Sequence, residues 1–323
     1  MNKDTFDTKN IFLGIDIGGT AVKMGIVDEN GTILLSYEAS VAFDHYDTPI
    51  LQTVLKESEK FLKDNKIDPR DLRGIGISAT GQIDVQRGIV AGSGGNIRNW
   101  EGSNLKEAFT QKYRLPVTVV NDANCVALGE KWIGSAKNAK DVIVLTIGTG
   151  LGGGIIVNDQ ILLGRAGFGG ELGHFSIHMQ GEPCTCKNRG CFEQYASMTA
   201  LVRSVGKYCE AAAPGCLKDR PVNGRTIFEA AAGGDAAITR IVDTWIQDIS
   251  AGIVSLVHIF NPELVIIGGG VCTQEELFIA KLREKVLEAV MPNFKQGLTL
   301  RAATLGNNAG MIGAVYYLIQ TLS

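Results

Sequence analysis

Ile11-Phe-Leu-Gly-Ile-Asp16-Ile-Gly18-Gly19-Thr20 leads into a second apolar stretch, Lys23-Met-Gly-Ile-Val27, and then, after Asp28-Glu-Asn30-Gly31, into a third, Thr32-Ile-Leu-Leu35. Apolar runs punctuated by glycine read as strand and turn, and Asn-Gly is a strong short hairpin signal. The same order recurs 130 residues further on, where Val142-Ile-Val-Leu-Thr146-Ile-Gly148-Thr149-Gly150 enters Gly152-Gly-Gly-Ile-Ile-Val157, then Asn158-Asp-Gln160 and Ile161-Leu-Leu163. In this shift Gly18 falls on Gly148, Asp16 on Thr146 and Val27 on Val157. A further element repeats: Leu72-Arg-Gly-Ile-Gly-Ile-Ser78, ahead of Gly81, echoes Glu263-Leu-Val-Ile-Ile-Gly268-Gly269-Gly270. Self-similarity at this spacing predicts two similar α/β halves.

Helical periodicity fills the intervals. Residues 48–63 carry Ile50, Leu51, Val54, Leu55, Phe61 and Leu62 largely at helical spacing, and 123–133, 197–212, 239–260, 275–290 and 308–322 read the same way. Strands alternating with helices predict two doubly wound α/β domains around a cleft, with ligands at the carboxyl ends of the strands. The boundary is expected between residues 120 and 135, where Val117-Thr-Val-Val-Asn121-Asp122 ends a strand and a helix begins. That gives an N-terminal domain, 1–122, and a larger domain, 123–305, with the C-terminal helix in 306–323 packing back onto the first.

At 323 residues and 45% hydrophobic content, the chain can bury two cores. A net charge of −3 and the lack of a lysine or arginine block argue against nucleic acid as a partner. The polar N-terminus and the absence of an apolar run near the roughly 18 residues needed to span a bilayer argue against a signal peptide and a membrane partner. A cytoplasmic location is expected, where the 7 cysteines stay reduced. Glycine, at 40 residues, exceeds the usual share of about 7% and predicts close approaches of backbone to ligand.

Three groups of residues carry chemistry. His174, Cys184, Cys186 and Cys191 supply three thiolates and an imidazole, a closed tetrahedral set for structural Zn2+, with buried thiols as the competing reading. Glu171 and Glu193 flank that set, so a folded zinc loop would fix two acceptors suited to a polyol. The turns Asp16-x-Gly18-Gly19-Thr20 and Gly148-Thr149-Gly150-x-Gly152 present backbone N–H groups without side-chain bulk, as a polyphosphate requires. Asp16 would contact Mg2+ through water, Gly268-Gly269-Gly270 would admit an adenosine, and Lys23 joins the nucleotide-binding candidates. A plain hairpin is the alternative for each turn taken singly. Asp122, where a strand opens onto a helix, reads either as an N-cap or as the carboxylate that accepts a hydroxyl proton in phosphoryl transfer.

Taken together, Asp16-Ile-Gly-Gly-Thr20, Asn121-Asp122, Thr146-Ile-Gly-Thr-Gly150-x-Gly-Gly-Gly154, Glu171-Leu-Gly-His174 and Cys184-x-Cys186-x4-Cys191-x-Glu193 resemble the ROK family (repressors, open reading frames and kinases) across almost the whole chain. The resemblance implies an actin-like ATPase (ribonuclease H-like) fold and ATP-dependent phosphorylation of a hexose or hexose derivative, usually on the 6-hydroxyl. Asp122 matches the family's catalytic base. Asn121, Glu171, His174 and Glu193 match its sugar ligands, and His174 also matches its zinc histidine. Asn96, in Asn96-Ile-Arg-Asn-Trp100, resembles a segment near the sugar, and Gly81 is counted with the same site. A homodimer is expected as well.

The chain departs from the family pattern at three places. Lys187 stands where the family has a glycine after its second cysteine, while Thr80-Gly81-Gln82-Ile83-Asp84 and Arg98-Asn99 alter segments bordering the sugar. Glucose is therefore one candidate beside N-acetylmannosamine, fructose, allose and a glucoside. A non-catalytic sugar sensor is the reading from another class, although the roughly ten residues before the first strand leave no room for the helix-turn-helix of family repressors.

Overall fold

The computed structural model describes residues 10–93, 97–211, 217 and 220–322. The chain forms two compact units. One takes residues up to Asn138, Ile161–Gly170 and the segment from Leu305; the other takes Ala139–Gln160 and Glu171–Thr304.

In the first unit, β1 (Ile11–Ile17), β2 (Ala21–Asp28) and β3 (Ile33–Ser40) precede α1 (Ile50–Asp64), β4 (Leu72–Ala79), the hairpin β5 (Gln82–Asp84) and β6 (Ile89–Gly92), α2 (Leu105–Tyr113), β7 (Val117–Asn121) and α3 (Asp122–Trp132). Its sheet runs β3-β2-β1-β4-β7. β1 pairs antiparallel with β2 and parallel with β4, and β4 pairs parallel with β7. Because side chains alternate across a strand, β1 serves two cores. Leu13, Ile15 and Ile17 pack with Val54 and Phe61 of α1 and Phe109 of α2.

The other face of β1, with Phe12, Gly14 and Asp16, lies under the last helix, whose Met311, Val315 and Leu318 pack with Phe12 and Val27. That helix also meets α3 backbone to backbone. A Cβ at Gly313 would stand 1.7 Å from the Cys125 carbonyl oxygen, so only glycine allows this approach. This packing holds α3 in the first unit, which includes the chain up to Asn138.

The second unit contains β8 (Val142–Ile147), β9 (Leu151–Val157), the start of β10 (Gln160–Ile161), α4 (Glu193–Ala196), α5 (Met198–Ala211), α6 (Gly224–Ala232), α7 (Ala236–Phe260), β11 (Leu264–Gly268), α8 (Ala280–Ala289), α9 (Pro292–Lys295) and β12 (Thr299–Ala302); α10 (Ala309–Leu322) is the helix that closes the first unit. Its sheet, β10-β9-β8-β11-β12, repeats the first one: β8 is antiparallel to β9 and parallel to β11, as β1 is to β2 and β4. The repeat read in the sequence is thus a repeat of topology, consistent with an actin-like α/β architecture. α7 begins at an Asp235 cap that accepts from the N–H groups of Ala237 and Ile238, and it buries Ile238, Val242, Trp245, Ile249, Ile253 and Leu256, one face of a 25-residue helix. The pattern at 275–290 divides into a π-helical turn, Glu275–Ile279, and α8. Among the described residues, no helix is long and apolar enough to cross a membrane.

Candidate functional site

In the first unit the functional candidates gather where β1, β4 and β7 end. Gly18 donates its N–H to the Ala21 carbonyl at 2.9 Å and closes the β1–β2 turn, which exposes Thr20. Tyr46 holds the turn from outside by donating its hydroxyl to the Gly19 carbonyl at 2.7 Å. Asp16, half-buried above Gly310 of α10, accepts at 2.5 Å from the hydroxyl of Ser78, which is itself fully buried. Burial pushes the Asp16 carboxyl above the usual carboxylate range; the Ser78 hydrogen bond and the charge of Lys23 offset part of that rise. Lys23 lies across from Asp16 in the β1–β2 register, and its ammonium donates to the Asn307 carbonyl at 3.4 Å.

Asn121 and Asp122 divide their work. The N-cap of α3 is Asn121, whose Oδ1 accepts from the N–H groups of Ala123 (3.0 Å) and Asn124 (3.2 Å). Its Nδ2 donates to the Gly81 carbonyl at 2.9 Å and to Asp122 Oδ1 at 3.0 Å. Every polar valence of Asn121 is thereby engaged within the protein. Asp122, half-buried in the first turn of α3, receives a further hydrogen bond on Oδ1 from the Ala123 N–H at 2.8 Å. Gly81, at φ +102, sits against the Gly92 carbonyl, and buried Trp100 donates its indole N–H to the Thr80 carbonyl at 2.9 Å. Asn96 lies outside the described residues.

In the second unit, the ligand atoms of His174, Cys184, Cys186 and Cys191 all lie within 4.8 Å of one another. The His174 Nδ1 to Cys184 Sγ distance is 3.6 Å and the Cys186 to Cys191 Sγ distance is 3.5 Å. A tetrahedral ion with bonds of about 2.3 Å to sulfur sets ligand–ligand edges of about 3.8 Å, so this donor set fits a metal ion of zinc's size and softness. Burial works to raise the Cys184 thiol, but hydrogen bonds from Cys186, Cys191 and His174 outweigh it and hold it at about 7, whereas burial pushes Cys191 up to about 12. His174 Nε2, left over by an Nδ1 ligand, stands 4.0 Å from an oxygen of Glu171. Glu193, half-buried at the start of α4, accepts the Leu151 N–H on Oε2 at 2.9 Å.

A cavity of about 920 Å³ opens beside this turn, lined by residues that include Gly148, Thr149, Thr199, Asn223, Arg225 and Gly270. Gly148 and Gly270 have open space where a Cβ would stand, and neither has a positive φ. Nothing in the fold itself requires glycine at these two positions, and both line the cavity. Gly269 differs, since its φ of +95 and a Cβ position 2.1 Å from the Ile147 carbonyl oxygen make it a turn glycine. Gly268 is buried in β11, and Gly150 packs against Glu193.

Some candidates escape a reading of the sequence. Ser78 was detectable in principle, as the one hydroxyl in the apolar strand β4. Thr199, which donates to the Thr149 carbonyl at 2.6 Å, and Arg225 reach the cavity through tertiary packing and carry no local mark.

A topology of two repeated α/β units, with a glycine-lined cavity in one and a carboxylate at the β7–α3 junction of the other, is that of the actin-like ATPase fold. The chain belongs to the ROK family, whose profile matches residues 12–321. It is 34% identical over 307 residues to a glucokinase of Thermotoga maritima, covering 94% of this chain and 95% of that one. Among solved structures it is similar to a ROK glucokinase from Streptomyces griseus in complex with glucose and AMPPNP (TM-score 0.82, 33% identity, 96% of this chain and 99% of that one). It is also similar to a ROK transcriptional regulator described as a homolog of the E. coli MLC protein (TM-score 0.85, 28% identity, 97% of this chain and 78% of that one).

Proposed function

We propose that this protein is an ATP-dependent sugar kinase that phosphorylates a hexose or hexose derivative on its 6-hydroxyl, with glucose as the first substrate to test. The observation that carries the reading is the pair Gly148 and Gly270, glycines without a structural reason that line a cavity of about 920 Å³, at the upper end of the roughly 300–1,000 Å³ of small-molecule sites. The nucleotide occupies this cavity, and the Gly148–Gly150 turn supplies N–H groups to its phosphates. Asp122 accepts the proton of the attacking hydroxyl, a contribution of about 10²–10⁴ in rate. Asn121 provides the N-cap of α3, so the Asp122 carboxylate, which accepts the Ala123 N–H on Oδ1, is not needed as the cap. Asn121 orients Asp122 and the Gly81 turn. Glu171, His174 and Glu193 accept sugar hydroxyls.

His174, Cys184, Cys186 and Cys191 hold structural zinc, which fixes the loop ahead of Glu193. Asp16 would hold magnesium, which would neutralise phosphate charge when bound. The protein acts in the cytoplasm as a homodimer.

ADP release in the presence of Mg-ATP and each of glucose, N-acetylmannosamine, fructose, allose and a β-glucoside tests the proposal. Turnover with at least one sugar is expected. The regulator-like structural match favours a second reading, a sugar sensor. Saturable sugar binding without ADP release from any of the panel would select it and refute the kinase.

A further inference from the structure

Glu193 does more than face a sugar. Its Oε2 accepts the Leu151 N–H at 2.9 Å, and Gly150 lies so close that a Cβ there would stand 2.6 Å from the same oxygen. The segment beginning at Glu193 continues to grip the turn. The Met198 N–H donates to the Gly148 carbonyl at 2.9 Å, and the Thr199 hydroxyl donates to the Thr149 carbonyl at 2.6 Å. Residues 193–199 therefore fix 148, 149 and 151 with three hydrogen bonds, while the Gly148 N–H closes the turn on the Gly150 carbonyl at 3.0 Å. Gly148, Thr149, Met198 and Thr199 all line the cavity. At its other end the segment is anchored by Cys191, a fully buried member of the metal-fitting cluster, and by the Glu193 N–H on the Gly173 carbonyl at 2.9 Å.

We infer that Glu193 is a positioning residue for the 148–150 turn, so that the cysteine loop sets the shape of the phosphate-binding backbone as well as offering a sugar ligand. Oε1 of Glu193 makes no hydrogen bond among the described residues and remains for a hydroxyl. One carboxylate thus serves sugar and turn at once. The inference rests on the kinase reading only in taking the cavity for a nucleotide site.

Electrostatics make the sign of the effect diagnostic. A carboxylate near a triphosphate repels it, so if Glu193 acted only as a charge, neutralising it would tighten nucleotide binding. If it positions the turn, Glu193→Ala loses the acceptor and the turn loosens, whereas Glu193→Gln keeps an acceptor oxygen on the Leu151 N–H.

The test uses the full-length protein as purified, with metal content measured, and no sugar present. AMPPNP affinity by calorimetry should weaken about tenfold in Glu193→Ala and stay within about twofold of wild type in Glu193→Gln. Hydrogen exchange at the Leu151 amide should accelerate in Glu193→Ala only. Unchanged or tighter AMPPNP binding together with unchanged Leu151 exchange in Glu193→Ala would overturn the inference. Should alanine displace the metal, Glu193→Asp, which keeps the charge but withdraws it by one methylene, must show faster Leu151 exchange; slow exchange there refutes the inference equally. A wild-type protein that binds no AMPPNP would refute the kinase reading, and Leu151 exchange would still decide the role of Glu193.

Discussion

Lys187 is a lysine in a glycine's conformation. Its φ is +73, in the turn closed by its own N–H on the Cys184 carbonyl at 2.9 Å, and its exposed side chain makes no hydrogen bond among the described residues. A left-handed residue with a Cβ costs about 1–2 kcal/mol. Replacing it by glycine relieves that strain, while the greater freedom of glycine in the unfolded chain takes back about 0.4–1 kcal/mol. The net gain for Lys187→Gly spans about 0–1.6 kcal/mol and centres on ~0.8 kcal/mol, roughly fourfold in an equilibrium constant. Loss of the exposed Lys187 ammonium from the cysteine loop opposes the gain by a few tenths of a kcal/mol at most.

Lys187→Ala controls for that loss, because it removes the charge and keeps the Cβ. Zinc affinity by competition with a chromophoric chelator should therefore rise roughly fourfold in Lys187→Gly relative to Lys187→Ala if metal orders the loop, by the same strain relief. If the loop is already ordered without metal, the gain moves instead to the thermal stability of the metal-free protein. A glycine variant no better than the alanine variant on both measurements would refute the strain argument.

Asp122→Asn should lower kcat by about 10²–10⁴ with sugar affinity held within about tenfold, and should leave the melting temperature nearly unchanged because Asn121 retains the cap; retained turnover with lost stability would return Asp122 to a structural role. Cys186→Ser, or chelation of the wild type, should remove one zinc per chain and lower thermal stability together, as atomic absorption and calorimetry will show. Ser78→Ala takes the hydrogen-bond donor from Asp16, whose carboxyl burial already raises, so its pKa should rise further. If ionised Asp16 is needed, the acidic limb of kcat against pH should then move upward; an unmoved limb would detach Asp16 from catalysis.

What could be read of the fold followed from how local its signals are. β1 and β8 were legible because an apolar run buried on both faces has to be uninterrupted, and each ends in a glycine turn. α7 was legible because a long helix repeats its buried face many times. α2 was not, since it buries only Leu105 and Phe109, and the start of α6 is marked mainly by the reciprocal Asn223–Thr226 cap. The assignment of α3 to the first unit was hidden for another reason. It depends on Gly129 and Gly313 meeting across the α3–α10 contact, and separate stretches of sequence do not show which glycines face each other.

The candidate site was legible as chemistry but not as wiring. The metal-fitting cluster could be found because Cys184, Cys186 and Cys191 sit within one loop, where spacing alone brings thiols together. Asn121-Asp122 and Glu193 could be named, but one sequence position can serve two partners. Asn121 spends its amide on the α3 cap, the Gly81 carbonyl and Asp122 Oδ1. Glu193 divides its carboxylate, with Oε2 given to the Leu151 N–H. Both arrangements follow from the same constraint. A half-buried polar side chain has to satisfy its atoms within the protein before it can offer any to a ligand, and which atoms remain is set by backbone groups far away in sequence. Substrate specificity therefore depends less on which polar residues are present than on which of their atoms the fold has left unspent.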